Sequence, residues 1–351
     1  MLKILVMGAG AIGCFIGGSL AGQGHQVTLV GRPRLMEQIA AAGLVIQWPG
    51  QPAQTVFPKT ATGVEAAGAG YDFILLTVKS PDTARAAQQL VAGAGISDQS
   101  WLVSFQNGIG NEEQLVEIFS SRPVITGTLT IPIQSPEPGL IQVSKAKGGI
   151  GVAPLANSQP VGRLAEALHE AGLTTQTYAD YRAMKWSKLM LNIVTNASCA
   201  ILNQPPLDII ARPELFELEL AALRECGQVM AAQGIRAVRL PGYPVDWLAR
   251  LVMAEWLPAT LKRAILRPLM ASGRGSKMPS LQMDLAAGRA TSEINALNGA
   301  IVRAGQRWGV ATPVNQALTK ILSGLVAGEL NWADYQNQPH KLIEAVESER
   351  A

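Results

Sequence analysis

The stretch KWSKLMLNIVTNA, which begins at Lys185, carries an amine and two amides at helical spacing. Lys188, Asn192 and Asn196 recur every four residues, and most positions between them are aliphatic. On a single helix, which the pattern predicts over residues 182–202, this spacing lines the three polar groups along one face. A positioned ammonium can stabilise negative charge on an oxygen and supply a proton. The stretch is therefore a candidate for a catalytic or ligand-binding surface.

Plainer interpretations of the stripe exist. A single lysine or asparagine on an apolar helix is commonly a solvated edge or a satisfied core group. Burying these groups unpaired would cost about 1–3 kcal/mol for each one. The three side chains must therefore face water, one another or a ligand, and a ligand is the natural partner if the face borders a cleft between domains.

The elements that must position the stripe are predicted from length and pattern. A chain of 351 residues provides for two domains, and 48% hydrophobic with 16% charged residues is a globular composition. Strands and helices alternate in the first part, whereas helical periodicity dominates from about residue 180. We expect domains at 1–179 and 180–351, the first a doubly wound α/β parallel sheet and the second all-α. The expected strands are 2–7, 26–30, 73–78, 101–104, 124–133 and a hairpin over 140–152, and the expected helices are 11–24, 182–202, 215–233, 245–270, 292–308 and 315–326.

A glycine motif, GAGAIG at Gly8–Gly13, lies between the first predicted strand and the first predicted helix. In a Rossmann-type strand–turn–helix, Gly8 suits a tight turn, Gly10 the close approach of a pyrophosphate, and Gly13 helix–strand packing. Ala11 and Ile12 would then present the helix N-terminus to the phosphates. This context predicts a dinucleotide site. The plainer alternative is a glycine-rich turn that binds nothing.

Three further residues are candidates for cofactor contacts. Arg32 follows the second strand, where an NAD-preferring site would usually carry an acidic residue, so its guanidinium indicates a 2′-phosphate and NADP(H). Lys79 and Asn107 follow the next two strands, whose carboxyl ends border the ligand crevice of such a sheet. The alternatives are an arginine that merely starts a surface helix at Pro33, a surface lysine, and a plain Asn-Gly turn.

Composition also excludes several classes of function. The formal net charge is only +3 and no block of like charges occurs, so a nucleic-acid partner is not indicated. The cysteines Cys14, Cys199 and Cys226 lack metal-ligand spacing, and we expect no metal site. No charge occurs between Lys3 and Arg32, but repeated glycine argues against a membrane helix there. We expect a soluble, cytoplasmic protein.

Taken together, the motifs resemble the 2-dehydropantoate 2-reductase (ketopantoate reductase) family. The resemblance covers nearly the whole chain and includes GAGAIG, GHQVTLVGR, LTVKS, QNGIGNEE, KWSKLMLNIVTN and the late segment that begins KMPSLQMDLAAGRATSEINALNG. It implies an NADP-binding Rossmann domain followed by an all-helical domain, with the active site between them. The implied reaction is the reduction of a small 2-keto acid, with ketopantoate the first candidate, by NADPH.

The resemblance also implies residue roles. Lys188 would protonate the ketone oxygen as hydride arrives, and Glu293 would position that lysine or relay its proton. Asn192 and Asn196 would hold the hydroxyl end of the substrate, and Ser280 its carboxylate. The cofactor or the lysine would be contacted by Arg32, Lys79 and Asn107.

Some features depart from the family pattern. The spacing from Ser280 to Glu293 is one residue longer, and the segment 239–277 is longer than in typical members. That segment is interpreted as a lid, as the surface of a possible homodimer, or as one more core helix. Two other functions stay open: a related NADP-dependent dehydrogenase of a different, larger or phosphorylated acid, and a non-catalytic NADP(H)-sensing module.

Overall fold

A computed structural model describes residues 1–93, 96–97, 99–120, 122–156, 160–274 and 277–350. The chain divides into two compact units. The first contains Met1–Lys185 and the short segment Leu240–Tyr243, and the second contains Trp186–Arg239 and Pro244–Ala351. Along the chain, the passage from one unit to the other falls within a helix, between Lys185 and Trp186.

The first unit contains the strands and the first helices. In chain order the strands are β1 (Lys3–Met7), β2 (Gln26–Val30), β3 (Leu44–Gln47), β4 (Gln54–Val56), β5 (Lys59–Ala61), β6 (Phe73–Leu76), β7 (Trp101–Ser104), β8 (Val124–Leu129), β9 (Ile133–Gln134), β10 (Leu140–Val143), β11 (Ile150–Pro154) and β12 (Thr175–Thr177). The helices are α1 (Ala11–Gly22), α2 (Pro33–Ala42), α3 (Val64–Ala67), α4 (Thr83–Ala92), α5 (Asn111–Phe119) and α6 (Val161–Glu170), with a 3₁₀ helix at Ser80–Asp82.

Within the described residues, eight strands form the main sheet in the order β12-β11-β8-β7-β6-β1-β2-β5. Its neighbours pair in parallel except β11, which runs antiparallel to β8. Successive residues of β1 alternate between two apolar clusters: Ile4 and Val6 join one, Leu5 and Met7 the other. Because the strand is buried on both faces, it reads as an unbroken apolar run. The expected doubly wound α/β sheet is confirmed.

The prediction of a hairpin over residues 140–152 is wrong. β10 lies in a separate sheet of order β4-β3-β10-β9, whereas β11 joins the main sheet. In β10 only Ile141 and Val143 are buried, so it has the alternating pattern of a strand with one covered face, unlike the continuously buried β8. The strand expected over 124–133 also ends early, at Leu129, before Pro132, which has no N–H for a ladder.

The second unit is helical, as expected for an all-α domain. Helix α7 (Tyr181–Ile193) leads into it, and the remaining helices are α8 (Asn196–Leu202), α9 (Pro206–Ala211), α10 (Pro213–Ala232), α11 (Val245–Met253), α12 (Ala259–Arg274), α13 (Ser280–Ala286), α14 (Asn298–Trp308), α15 (Pro313–Ala327) and α16 (Pro339–Arg350), with 3₁₀ helices at Glu293–Asn295 and Trp332–Asp334. In the described ranges, no helix is long and apolar enough to cross a lipid bilayer.

Three of the long helices expected in this unit are interrupted. Residues 245–270 form α11, which ends at Met253, and α12, which begins just after Pro258. Proline disfavours helical backbone in the residue before it, so α12 does not extend back to Leu257. Residues 292–308 form a 3₁₀ turn and then α14. The predicted helix over 182–202 is broken at Thr195, whose φ of 55° is left-handed. The helices expected over 215–233 and 315–326 correspond closely to α10 and α15.

Candidate active-site residues

The glycine turn after β1 is shaped by two close backbone approaches. Gly8 has a φ of +110°, and a Cβ added there would lie 2.7 Å from the backbone nitrogen of Val78. A Cβ on Gly13 would lie 2.6 Å from Thr77 Oγ1 and would also clash with the Gly8 carbonyl oxygen. The Thr77 hydroxyl donates a 2.7 Å hydrogen bond to that same oxygen. Larger residues at Gly8 or Gly13 would therefore displace the turn from the end of β6.

Gly10 differs from these two positions. A Cβ added there would meet no heavy atom within 4 Å in the described structure. Gly10 precedes α1, and no described side chain caps this helix end, whose first turn contains no acidic residue. Ala11 and Ile12 are half-buried in that first turn. Open space in front of uncapped N–H groups at a helix N-terminus fits a pyrophosphate, so the residues present suit a dinucleotide.

Arg32 lies at the start of α2 and is exposed. The glycine turn is bonded to the end of β2, because the N–H groups of Gly8 and Ala9 both donate to the Val30 carbonyl, at 3.1 and 2.9 Å. Val30 therefore anchors the glycine turn, and Arg32 follows Val30 by two residues in the chain. α2 does begin at Pro33, as the plainer interpretation of this arginine required. Recognition of a 2′-phosphate by its guanidinium stays a prediction.

The structure brings together the two turns that carry Lys79 and Asn107, both half-buried. The Asn107 carbonyl accepts a 2.8 Å hydrogen bond from the Ser80 hydroxyl, which follows Lys79. It accepts a second, also of 2.8 Å, from Asn111 Nδ2 at the start of α5. The turns after β6 and β7 are thus joined at the edge of the sheet where their strands end.

A buried polar network behind these turns was missed from the sequence. Gln106 Nε2 donates to the Val78 carbonyl at 3.1 Å and to Thr83 Oγ1 at 2.7 Å. The Gln106 carbonyl accepts a 2.7 Å hydrogen bond from Lys185 Nζ, which also lies 2.8 Å from Glu112 Oε1. Lys185 is the first residue of KWSK. A charged residue in this largely apolar segment was the sequence signal that could have indicated a buried ion pair.

The three residues of the predicted stripe do not share one helix. Lys188 and Asn192 are half-buried on α7, but Asn196 is buried and begins α8. The break at Thr195 is stabilised by Glu219, whose carboxylate accepts a 2.6 Å hydrogen bond from the Thr195 N–H and another from the Ser198 hydroxyl. Periodicity reflects only the spacing of residues and contains no information about such a distant cap. The prediction that Asn196 shares one helix face with Lys188 and Asn192 is therefore wrong.

Asn196 is instead near the start of α13. Its Oδ1 accepts a 3.3 Å hydrogen bond from the Leu281 N–H, one residue after Ser280. Ser280 is the first residue of α13 and is exposed. The structure therefore brings two predicted substrate-binding residues to neighbouring helix starts, and their contacts with a substrate stay predictions.

Glu293 is 5% exposed and begins a 3₁₀ turn. The turn is capped by Ser292, whose hydroxyl accepts a 3.2 Å hydrogen bond from the Ile294 N–H. A buried carboxylate at this position fits a group that acts on another charged or polar side chain. Its pairing with Lys188 stays a prediction.

A second buried carboxylate of α10, Glu225, was also missed. It accepts hydrogen bonds from the backbone N–H groups of Val314 and Asn315, both at 2.9 Å, and from Asn315 Nδ2 at 2.6 Å. It thereby caps α15. Burial raises the pKa of the Glu225 carboxyl above its usual value, while these hydrogen bonds act in the opposite direction.

Comparison with known proteins agrees with this arrangement. Residues 4–157 match the family model described as ketopantoate reductase PanE/ApbA, and residues 180–326 match the model of its C-terminal part. A 2-dehydropantoate 2-reductase of Pyrococcus horikoshii is 34% identical over 237 residues, which are 67% of this chain and 75% of the relative. Another, of Halobacterium salinarum, is 28% identical over 331 residues, covering 92% and 98%.

Solved structures give the same result. The ketopantoate reductase of Ralstonia eutropha is 27% identical with a TM-score of 0.78, over 93% of this chain and 99% of that one. A D-mandelate dehydrogenase with NADH and anilino(oxo)acetate, 22% identical with a TM-score of 0.75 over 93% and 99%, shares the fold. The chain belongs to the ketopantoate reductase family, a family of oxidoreductases that act on a CH–OH group.

Proposed function

We propose that this protein reduces 2-dehydropantoate to pantoate with NADPH. The observation that carries the proposal is the similarity to curated 2-dehydropantoate 2-reductases, which extends through both the sheet unit and the helical unit. Sequence similarity restricted to the glycine turn would support only a nucleotide-binding site. Similarity in the helical unit, where the substrate residues are predicted, supports the substrate as well.

In the proposed reaction the carbonyl group of the substrate receives one hydride and one proton. A reduced nicotinamide, when bound, supplies the hydride to the carbonyl carbon. Lys188 donates a proton to the carbonyl oxygen, which would otherwise accumulate negative charge as the new C–H bond forms. Buried Glu293 supports the ammonium form of that lysine. Asn192, Asn196 and Ser280 orient the substrate through its hydroxyl and carboxylate groups.

The choice of NADPH over NADH depends on Arg32. A guanidinium offers several N–H donors in one plane and matches phosphate oxygens geometrically, whereas an acidic residue there would repel a 2′-phosphate. Lys79 and Asn107, on the joined strand-end turns, are proposed to contact the nicotinamide end. The buried positions of Cys14, Cys199 and Cys226 are compatible with work in the cytoplasm, which we also propose.

The test is to mix purified protein with NADPH and follow its absorbance as 2-dehydropantoate is added. The expected result is steady oxidation of NADPH with stoichiometric formation of pantoate. A panel of other 2-keto acids, including aromatic and phosphorylated ones, is measured in parallel. Turnover of another acid with none of 2-dehydropantoate would retain the reaction and reject the substrate. NADPH binding without turnover of any acid would favour the sensing module.

A further inference from the structure

Lys185 and Glu112 form an ion pair away from solvent. The lysine side chain is 4% exposed and the glutamate side chain 2%, with Nζ 2.8 Å from Oε1. Lysine and glutamate are seldom buried this fully unless they are paired, since removing an isolated charge from water is strongly unfavourable. In other proteins, buried ion pairs have often been replaced by hydrocarbon of similar volume at little cost in stability. The presence of this pair therefore calls for a reason other than stability.

The pair spans a glycine-rich turn. Lys185 Nζ also donates a 2.7 Å hydrogen bond to the carbonyl of Gln106, at the start of this turn, and Glu112 lies at its end in the first helical turn of α5. Between them, Gly108 and Gly110 have φ values of +83° and +106°. Because glycine has no Cβ, it adopts positive and negative φ about equally well and leaves such a loop many accessible conformations. One ammonium thus fixes both ends of a segment that has little rigidity of its own.

The same turn carries Asn107. Its carbonyl is held by the Ser80 hydroxyl and by Asn111 Nδ2, each at 2.8 Å. The bond from Ser80 joins the turn to its neighbour, and the bond from Asn111 lies within the turn itself. Neither restrains the Gln106 carbonyl, which lies on the preceding peptide. Lys185 supplies that restraint from α7, a helix outside both turns. The orientation of the Asn107 side chain depends on both peptides that flank it.

We propose that Lys185 and Glu112 are positioning residues that hold the Gln106–Glu112 turn, and with it Asn107, in the conformation that binds the nicotinamide end of the dinucleotide. This inference rests on the cofactor role proposed for Asn107. It gives the two lysines of KWSK different tasks: Lys188 acts on the substrate, and Lys185 acts through the turn.

The experiment replaces the pair by hydrocarbon. The double variant Lys185→Met with Glu112→Leu keeps the volume and removes both charges, so it should fold with a midpoint of thermal unfolding near that of the wild type. Its Kd for NADPH, measured by the fluorescence of the bound nucleotide, should rise roughly 10- to 100-fold, since a hydrogen bond from a charged donor is lost. The KM for the keto acid at saturating NADPH should change much less.

Two comparisons make the outcome decisive. Lys147→Met removes an exposed lysine of the same unit and should leave the Kd for NADPH unchanged. Glu112→Gln preserves the side-chain shape and removes the negative charge. If the double variant fails to fold, the Kd of Glu112→Gln for NADPH is compared with that of the wild type instead. A folded variant that binds NADPH with wild-type affinity overturns the proposal. Because binding is measured without a keto acid, a wild type that binds NADPH but reduces nothing would reject the proposed function alone.

Discussion

The two units bury charge in different ways. In the first unit the ammonium of Lys185 is balanced by the opposite charge of Glu112. In the second unit the carboxylates of Glu219 and Glu225 are instead met by backbone N–H groups at the starts of α8 and α15. A helix N-terminus offers unsatisfied donors and a partial positive charge, and both favour a carboxylate at that place.

The difference follows from what each architecture makes available. A helical unit has many ends, and buried Lys262 follows the same rule with the opposite sign, donating at 3.3 Å to the Val252 carbonyl near the end of α11. Burial lowers the pKa of Lys262. A parallel sheet instead ends in turns, and turns rich in glycine need side chains to fix them. The buried pair of the first unit therefore fixes a loop, whereas Glu219, Glu225 and Lys262 fix where helices of the second unit begin or end. The second unit also contains a buried carboxylate balanced by an opposite charge, since Asp284 pairs with Arg289 at 3.1 Å.

The largest effect is expected at Lys188, which is proposed to act on the substrate and not to fix a loop or a helix end. Lys188→Ala should lower kcat about 10²- to 10⁴-fold, the usual contribution of a general acid, with little change in the midpoint of thermal unfolding. Steady-state NADPH oxidation measures kcat. The control is Lys320→Ala, an exposed lysine of the same unit that pairs with Glu349. Unchanged turnover in Lys188→Ala would remove this lysine from the mechanism.

Helix capping by a buried carboxylate predicts the next largest effect, on stability. Glu225→Ala should lower the free energy of unfolding by roughly 2–6 kcal/mol, because the backbone donors of Val314 and Asn315 lose their acceptor at about 1–3 kcal/mol each. Urea titration followed by circular dichroism measures the change. Glu347→Ala, at an exposed position of α16, serves as the matched variant and should lie within about 0.5 kcal/mol of the wild type. Equal stability of the two variants would contradict the capping role.

A smaller effect is expected at the exposed edge of the first unit. Arg32→Asp should shift the ratio of kcat/KM values for NADPH and NADH toward NADH by at least about tenfold, since one charged hydrogen bond is worth about 1.5–3 kcal/mol. Arg85→Asp makes the same charge change at an exposed position of α4 and should leave that ratio unaltered. An identical ratio in Arg32→Asp and the wild type would assign Arg32 only to the start of α2.

These contrasts also explain what the sequence could predict. The GAGAIG turn and the strands beside it follow from local rules, because glycine spacing and apolar runs are properties of short segments. The break at Thr195 depends on Glu219, which lies far along the chain, so no periodicity within 182–202 could reveal it. Likewise, Lys185 and Glu112 meet only after folding. Helical spacing and strand ends pointed to Lys188, Asn192, Arg32, Lys79 and Asn107, and the family resemblance added Glu293 and Ser280. The groups that hold these residues required the structure.

Cysteine labelling gives the smallest but most direct contrast between the units. Burial raises the pKa of the Cys14 thiol to about 12 and raises that of Cys226 as well, so the native protein should resist alkylation at pH 8. Cys14 is on α1 of the first unit, and Cys226 is next to Glu225 on α10 of the second. In Glu225→Ala, mass spectrometry should therefore detect labelling of Cys226 at lower urea than labelling of Cys14. Simultaneous labelling would mean that the loss of this cap is felt throughout the chain, and that the two units unfold as one.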